Sequence, residues 1–240
     1  MRTKKQYKRK MIKLLLFIIL CYSLIQIFIW FYQTEKSKQE FINLEKEVVT
    51  DVEDTTVKKE PEKENRRIDF DKLLSINSDV KGWLIIEKLD ISYPIMQSEN
   101  NEYYLKKNIY KENSISGSLF LDYRNNAFQD DNTIIYGHNM KNGTMFGKLD
   151  NIKNGKLGTD IAILIYTENK IYKYKVFSTY EINPRDFKIN EKITDLIEKS
   201  EIDFKKNIDT SSKYLTLYTC TNTSIKRIIV NAVLEEIVVL

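Results

Sequence analysis

The stretch LLLFIILCYSLIQIFIWFY, Leu14 to Tyr32, runs 19 residues without a charge. As a helix it is about 28 Å long, close to the hydrocarbon thickness of a bilayer. Its far end is rich in aromatics, in IWFYQTEKSKQE, and no small-x-small cleavage site follows. The run therefore reads as an uncleaved transmembrane anchor, 14–32, and not as a signal peptide. Residues 1–13 hold seven Lys or Arg and no acid. Positive charge is retained on the cytoplasmic side, so the tail 1–13 is expected in the cytoplasm and the rest of the chain outside the cell membrane.

The formal charge of +4 invites a nucleic-acid reading, but the basic tail accounts for it. Without that tail, 31 of the 38 basic residues face 34 acidic ones. The body of the protein is mildly acidic, and nothing in it concentrates positive charge as a phosphate-binding surface must. No nucleic-acid partner is expected.

After the anchor, 33–67 is dense in charge and reads as a polar stalk. Phe41, Leu44, Val48 and Val52 fall at helical spacing within it, and TTVKKEPEKENRR closes it as a flexible run. The folded domain is expected over 68–240. DFDKLLSIN has helical apolar spacing, and WLIIEKLDISYPIMQ reads as two strands joined by a turn. GSLFLDY, NTIIYGH, IAILIYT, IYKYKVFSTYEI, YLTLYTC and RIIVNAVLEEIVVL follow as short β-rich runs, with TENK as a hairpin turn between two of them. One helix is inserted in NEKITDLIEKSEIDFKKN, where Ile193, Leu196 and Ile197 share a face. Mostly antiparallel strands with a few peripheral helices predict a mainly β fold, a closed or partly closed barrel.

Chemistry has few places to reside. His138, in TIIYGHNMKNGTMFGKL, is the only histidine, and it ends a strand before a glycine-containing loop. Of two cysteines, Cys21 lies in the anchor and Cys220 ends the strand YLTLYTC, so no disulfide is expected. One thiol and one imidazole outside the membrane fall short of the three or four ligands of a zinc site, so neither a metal nor another cofactor is expected. A thiol, an imidazole and a cation together suit nucleophilic acyl transfer. Arg227 can supply the cation. It stands seven residues after Cys220, and if Cys220 ends one strand and Arg227 begins its antiparallel neighbour, a short loop returns the guanidinium beside the thiol.

TLYTC around Cys220, YGHNM around His138 and RIIV beginning at Arg227 together resemble the sortases, membrane-anchored cysteine transpeptidases of Gram-positive bacteria. INSDVKGWLII, YPIMQSENNEYYL, GSLFLDYRNN and a helix over 191–206 resemble their class B branch. The resemblance implies an eight-stranded β-barrel with N-terminal helices and an inserted helix before the cysteine strand. It implies Cys220, His138 and Arg227 as the catalytic three, and substrate contacts from Asn101, Leu105 and Thr219. The expected partners are secreted proteins with a C-terminal sorting signal, cleaved after threonine through a thioacyl intermediate, and an accepting amine on a peptidoglycan precursor or cross-bridge. A pilin polymerase is the alternative enzyme, although no Asp-Pro-aromatic lid segment precedes the barrel. A membrane-tethered barrel that only binds ligands is the non-catalytic alternative.

Overall fold

The computed structural model describes residues 2–51, 66–204, 208–219 and 225–240. Cys220, the connection that follows it, Val52 and the polar end of the stalk lie outside the described residues.

Helix α1 spans Arg2–Val48. Residues up to Glu40 form one compact unit and Phe41–Leu240 a second. In the first, the large apolar side chains of the uncharged run are exposed, and the helix has the length and composition to cross a membrane. In the second, Phe41, Leu44 and Val48 are buried, so the stretch read from sequence as stalk supplies side chains to the core. Phe41 meets the Tyr93 ring edge-on at 5.3 Å. Strand β1 (Val49–Asp51) then pairs antiparallel with β2 (Arg66–Ile68). Helix α2 (Phe70–Ile76) is capped by Asp69, whose carboxylate accepts from the Lys72 N–H at 2.9 Å, and so satisfies one of the orphan donors of the first turn.

The barrel strands are β3 (Val80–Ile86), β4 (Ile91–Met96), β5 (Leu119–Leu121), β6 (Asn132–Gly137), β7 (Ala162–Tyr166), β8 (Lys170–Ile182), β9 (Tyr214–Thr219) and β10 (Arg227–Val239). Their order around the closed barrel is β10-β8-β7-β3-β4-β5-β6-β9. The eight-stranded barrel expected from sequence is present. The TENK turn closes the β7–β8 hairpin, with the Thr167 N–H on the Lys170 carbonyl at 2.8 Å. Two pairs are parallel, β4 with β5 and β6 with β9.

Side-chain alternation sorts the apolar residues into two layers. Leu84, Ile86, Ile135, Ile163, Leu215, Leu217 and Val230 form one cluster with the other aliphatic residues of the barrel. Trp83, Ile85, Ile134, Tyr136, Tyr218 and Ile229, the intervening positions, pack instead with Leu73 of α2, Tyr104 and the residues of a later helix. Both faces are thus covered, which is why the strands read as nearly continuous apolar runs.

Two short helices complete the fold, α3 (Asp150–Lys153) and α4 (Ile193–Glu198). The inserted helix is shorter than the sequence periodicity suggested. After Lys199 the chain turns to bond with β8: the Glu201 N–H donates to the Thr179 carbonyl at 2.8 Å, and the Thr179 N–H to Ser200 Oγ at 3.1 Å. Ile193 and Leu196 are buried beneath α4, and Ile197 is exposed.

Candidate active site

Three neighbouring strands bring His138, Thr219 and Arg227 to one end of the barrel. Strands β6 and β9 run parallel and in register from Asn132↔Tyr214 to Gly137↔Thr219. The next residue after Gly137 is His138, and the next after Thr219 in the sequence is Cys220. Strand β10 lies antiparallel on the other side of β9, with Ile229 opposite Tyr218, and begins at Arg227. Neighbouring strands lie about 5 Å apart, so His138 and Arg227 leave the barrel about 10 Å from each other with the end of β9 between them. The antiparallel pairing that the sequence suggested for the cysteine and arginine strands is present up to Tyr218.

His138 is held from two sides. Its backbone carbonyl accepts the Phe146 N–H at 3.0 Å, which closes the loop after β6. Its ring Nε2 lies 2.7 Å from the Leu105 carbonyl oxygen. Gly137 makes the approach possible: a Cβ there would lie 2.5 Å from Leu119 Cδ2 and 2.6 Å from Phe146 Cδ2. Arg227 is half-buried, pairs across to Ile182 of β8, and donates from Nη1 to the Lys226 carbonyl at 3.2 Å.

The three expected substrate contacts take different places. Leu105 is half-buried beside His138. Asn101 ties its own segment to the turn after β5: its side-chain Oδ1 accepts the Tyr123 N–H at 2.9 Å and its side-chain Nδ2 donates to Asp122 at 3.0 Å. Thr219 is fully buried, and its Oγ1 accepts the Ile228 N–H at 3.1 Å, pinning the end of β9 to the start of β10.

Sequence reasoning missed Asp122. Its carboxylate is buried and takes the Arg124 guanidinium at 2.6 and 2.7 Å, the Tyr136 hydroxyl at 2.8 Å and Asn101. Burial alone would raise its pKa, but the Arg124 side chain and N–H, the Tyr136 hydroxyl and the Asn101 amide outweigh it and hold the carboxyl at about 2. Only the acid in GSLFLDY, placed directly after an apolar strand, hinted at it. Tyr136 in turn meets Tyr218 edge-on at 5.1 Å, and Phe187 meets Tyr218 at 4.8 Å, so an aromatic ridge walls the outer face next to the β9 end.

A cavity of about 700 Å³ lies at the opposite end of β6 and β9, lined by Asn132, Tyr214, Arg124, Asp130 and Glu191. Among the described residues no group of three or more His, Cys, Asp or Glu could hold a metal ion.

The sortase domain family matches residues 84–235. A sortase B of Listeria monocytogenes is 36% identical over 160 residues, covering 62% of this chain and 65% of that one. A sortase B of Staphylococcus aureus is 30% identical over 185 residues, covering 70% and 75%. The solved structure of sortase B from Bacillus anthracis in complex with AAEK1 superposes with a TM-score of 0.72 at 27% identity, covering 86% of this chain and 99% of that one. The family match and the superposition define the fold as a sortase-type β-barrel. The chain belongs to the sortase family and is similar to its class B members.

Proposed function

We propose that the protein is a membrane-anchored cysteine transpeptidase of the sortase B type, with Cys220 as nucleophile, His138 as general acid and base, and Arg227 as the oxyanion and substrate-orienting cation. The register that ends β6 at Gly137, just before His138, ends β9 at Thr219 and starts β10 at Arg227 is the observation that supports this reading best.

The chemistry follows from those groups. The Cys220 thiolate attacks the carbonyl carbon of a threonine in the sorting signal, and the Arg227 guanidinium stabilises the oxyanion. The C–N bond breaks as the imidazolium of His138 gives its proton to the leaving amine, leaving a thioester. An amine of a peptidoglycan precursor or cross-bridge then attacks the thioester, its proton passes to the imidazole, and the thiolate departs. Leu105 lies beside the histidine, the aromatic ridge at Tyr218 flanks the end of β9, and Thr219 and Asn101 tie the neighbouring strand and turn.

Residues 14–32 anchor the chain in the cell membrane with the basic N-terminus in the cytoplasm, and the catalytic domain acts outside. Anchoring raises the effective concentration of the enzyme against secreted substrates held at the same membrane. The test is cleavage of a sorting-signal peptide library by the full chain in detergent. Cutting after threonine, with loss of cleavage in Cys220→Ala, is expected. A Cys220→Ala protein that cleaves normally would overturn the reading.

A further inference from the structure

The segment from Asn101 to Ser118 places one backbone carbonyl against the histidine, and several contacts keep it there. On one side of Leu105, Tyr104 is buried, its hydroxyl donates to Asp79 at 2.6 Å, and its carbonyl accepts the Ser118 N–H at 2.9 Å. On the other side, the Lys106 carbonyl accepts the Ser114 N–H at 2.9 Å and the Lys107 carbonyl accepts Ser118 Oγ at 2.8 Å. Gly117 closes the strap at φ +58°, and a Cβ on it would lie 2.6 Å from the Leu105 oxygen and 2.7 Å from the Tyr104 oxygen. An L side chain there is both strained and in collision with the carbonyl that faces the histidine.

A carbonyl oxygen only accepts. At 2.7 Å from it, His138 Nε2 must carry the hydrogen, in the neutral ring as in the imidazolium. We propose that the Leu105 carbonyl fixes His138 as the Nε2–H tautomer, that Nδ1 is the nitrogen that moves protons, and that Gly117 is the positioning residue that keeps this carbonyl in place. The assignment to Nδ1 rests on the acid–base reading of His138 given above. In the first half-reaction the Nδ1–H proton passes to the leaving amine and the electron pair of that bond stays on Nδ1. The entering amine's proton later restores it, and Nε2–H is never exchanged.

Because His138 is the only histidine, the full chain labelled with ¹⁵N-histidine gives one ring to observe. With the ring neutral, the expected spectrum has a pyridine-type Nδ1, a pyrrole-type Nε2 and an Nε2–H proton protected from exchange with water. A pyrrole-type Nδ1, an averaged pair of shifts, or an unprotected Nε2–H overturns the proposal, and this measurement needs no variant. Gly117→Ala is expected to lose the protection and to lower kcat about tenfold with KM nearly unchanged. A folded Gly117→Ala protein with the native ring spectrum and native kcat would overturn Gly117's part in it. If His138→Ala remains fully active, the acid–base reading fails while the tautomer stands, so the two failures are distinguishable.

Discussion

The two ends of the β6–β9 pair are built from opposite kinds of residue. At the start, side-chain amides bind everything to everything. Asn132 donates to the Ile189 carbonyl and shares the Thr216 hydroxyl with Asn231, and Asn125 accepts the Ile134 N–H at 2.8 Å and donates to the Asn132 carbonyl at 2.9 Å. The Tyr214 hydroxyl reaches the Glu191 carbonyl at 2.9 Å. At the finish, a glycine and a pinned threonine lead straight into His138 and toward the cysteine. The contrast shows how a barrel fixes reactive groups. Polar residues that could do chemistry are used up as ties at one end, so that the few groups at the other are placed by strands that cannot shift register.

Substitutions that separate the two ends test this division. The largest effects belong to the finish: Cys220→Ala and His138→Ala are expected to lower the peptide-cleavage kcat about a thousandfold or more, with urea unfolding unchanged. Arg227→Ala should cost about 10²–10³-fold, and Arg227→Lys should recover only part of it, because an ammonium lacks the planar fork of donors. The start should respond the other way. Asn132→Ala strips partners from buried polar groups and should remove about 2 kcal/mol of stability while leaving kcat per folded molecule near the native value. A large loss of kcat with unchanged stability in Asn132→Ala would erase the distinction.

The smallest effect is acid sensitivity. Asp122 is held at about 2 in the folded protein, against about 3.9 for an unfolded aspartate. Its folded pKa is depressed, so its contribution is complete above about pH 4 and is lost as pH falls from about 4 to 2, worth roughly 2 kcal/mol. Urea midpoints measured across that window should fall more steeply in the native protein than in Asp122→Asn. Parallel slopes would show that the buried Asp122 carboxylate adds nothing to stability.

Much of this was legible in the sequence, for identifiable reasons. The lone histidine and the motifs TLYTC and RIIV marked strand boundaries, where the proposed site residues stand, because strands give way to turn-forming and polar residues there. The β6–β9 pairing was not legible. It joins segments far apart in sequence, and a parallel pair leaves no local turn signal. The length of α4 was misread because Ile193, Leu196 and Ile197 have helical spacing, whereas the bonds of Ser200 and Glu201 to β8 depend on tertiary contact. Phe41, Leu44 and Val48 showed their stripe, but only packing reveals that it faces the core. The Leu105 carbonyl left no trace at all, since every residue has one, and Gly117 alone recorded its need for space.

The most direct measurement is the intact mass of the full chain, acid-quenched after mixing with a sorting-signal peptide in the absence of an amine. A mass increase equal to the peptide's acyl half, mapped to Cys220, removed by hydroxylamine and missing from Cys220→Ala, is expected. An adduct on any other residue, or cleavage that proceeds with no acyl-enzyme at any time point, would contradict the assignment of this barrel end as the place of catalysis.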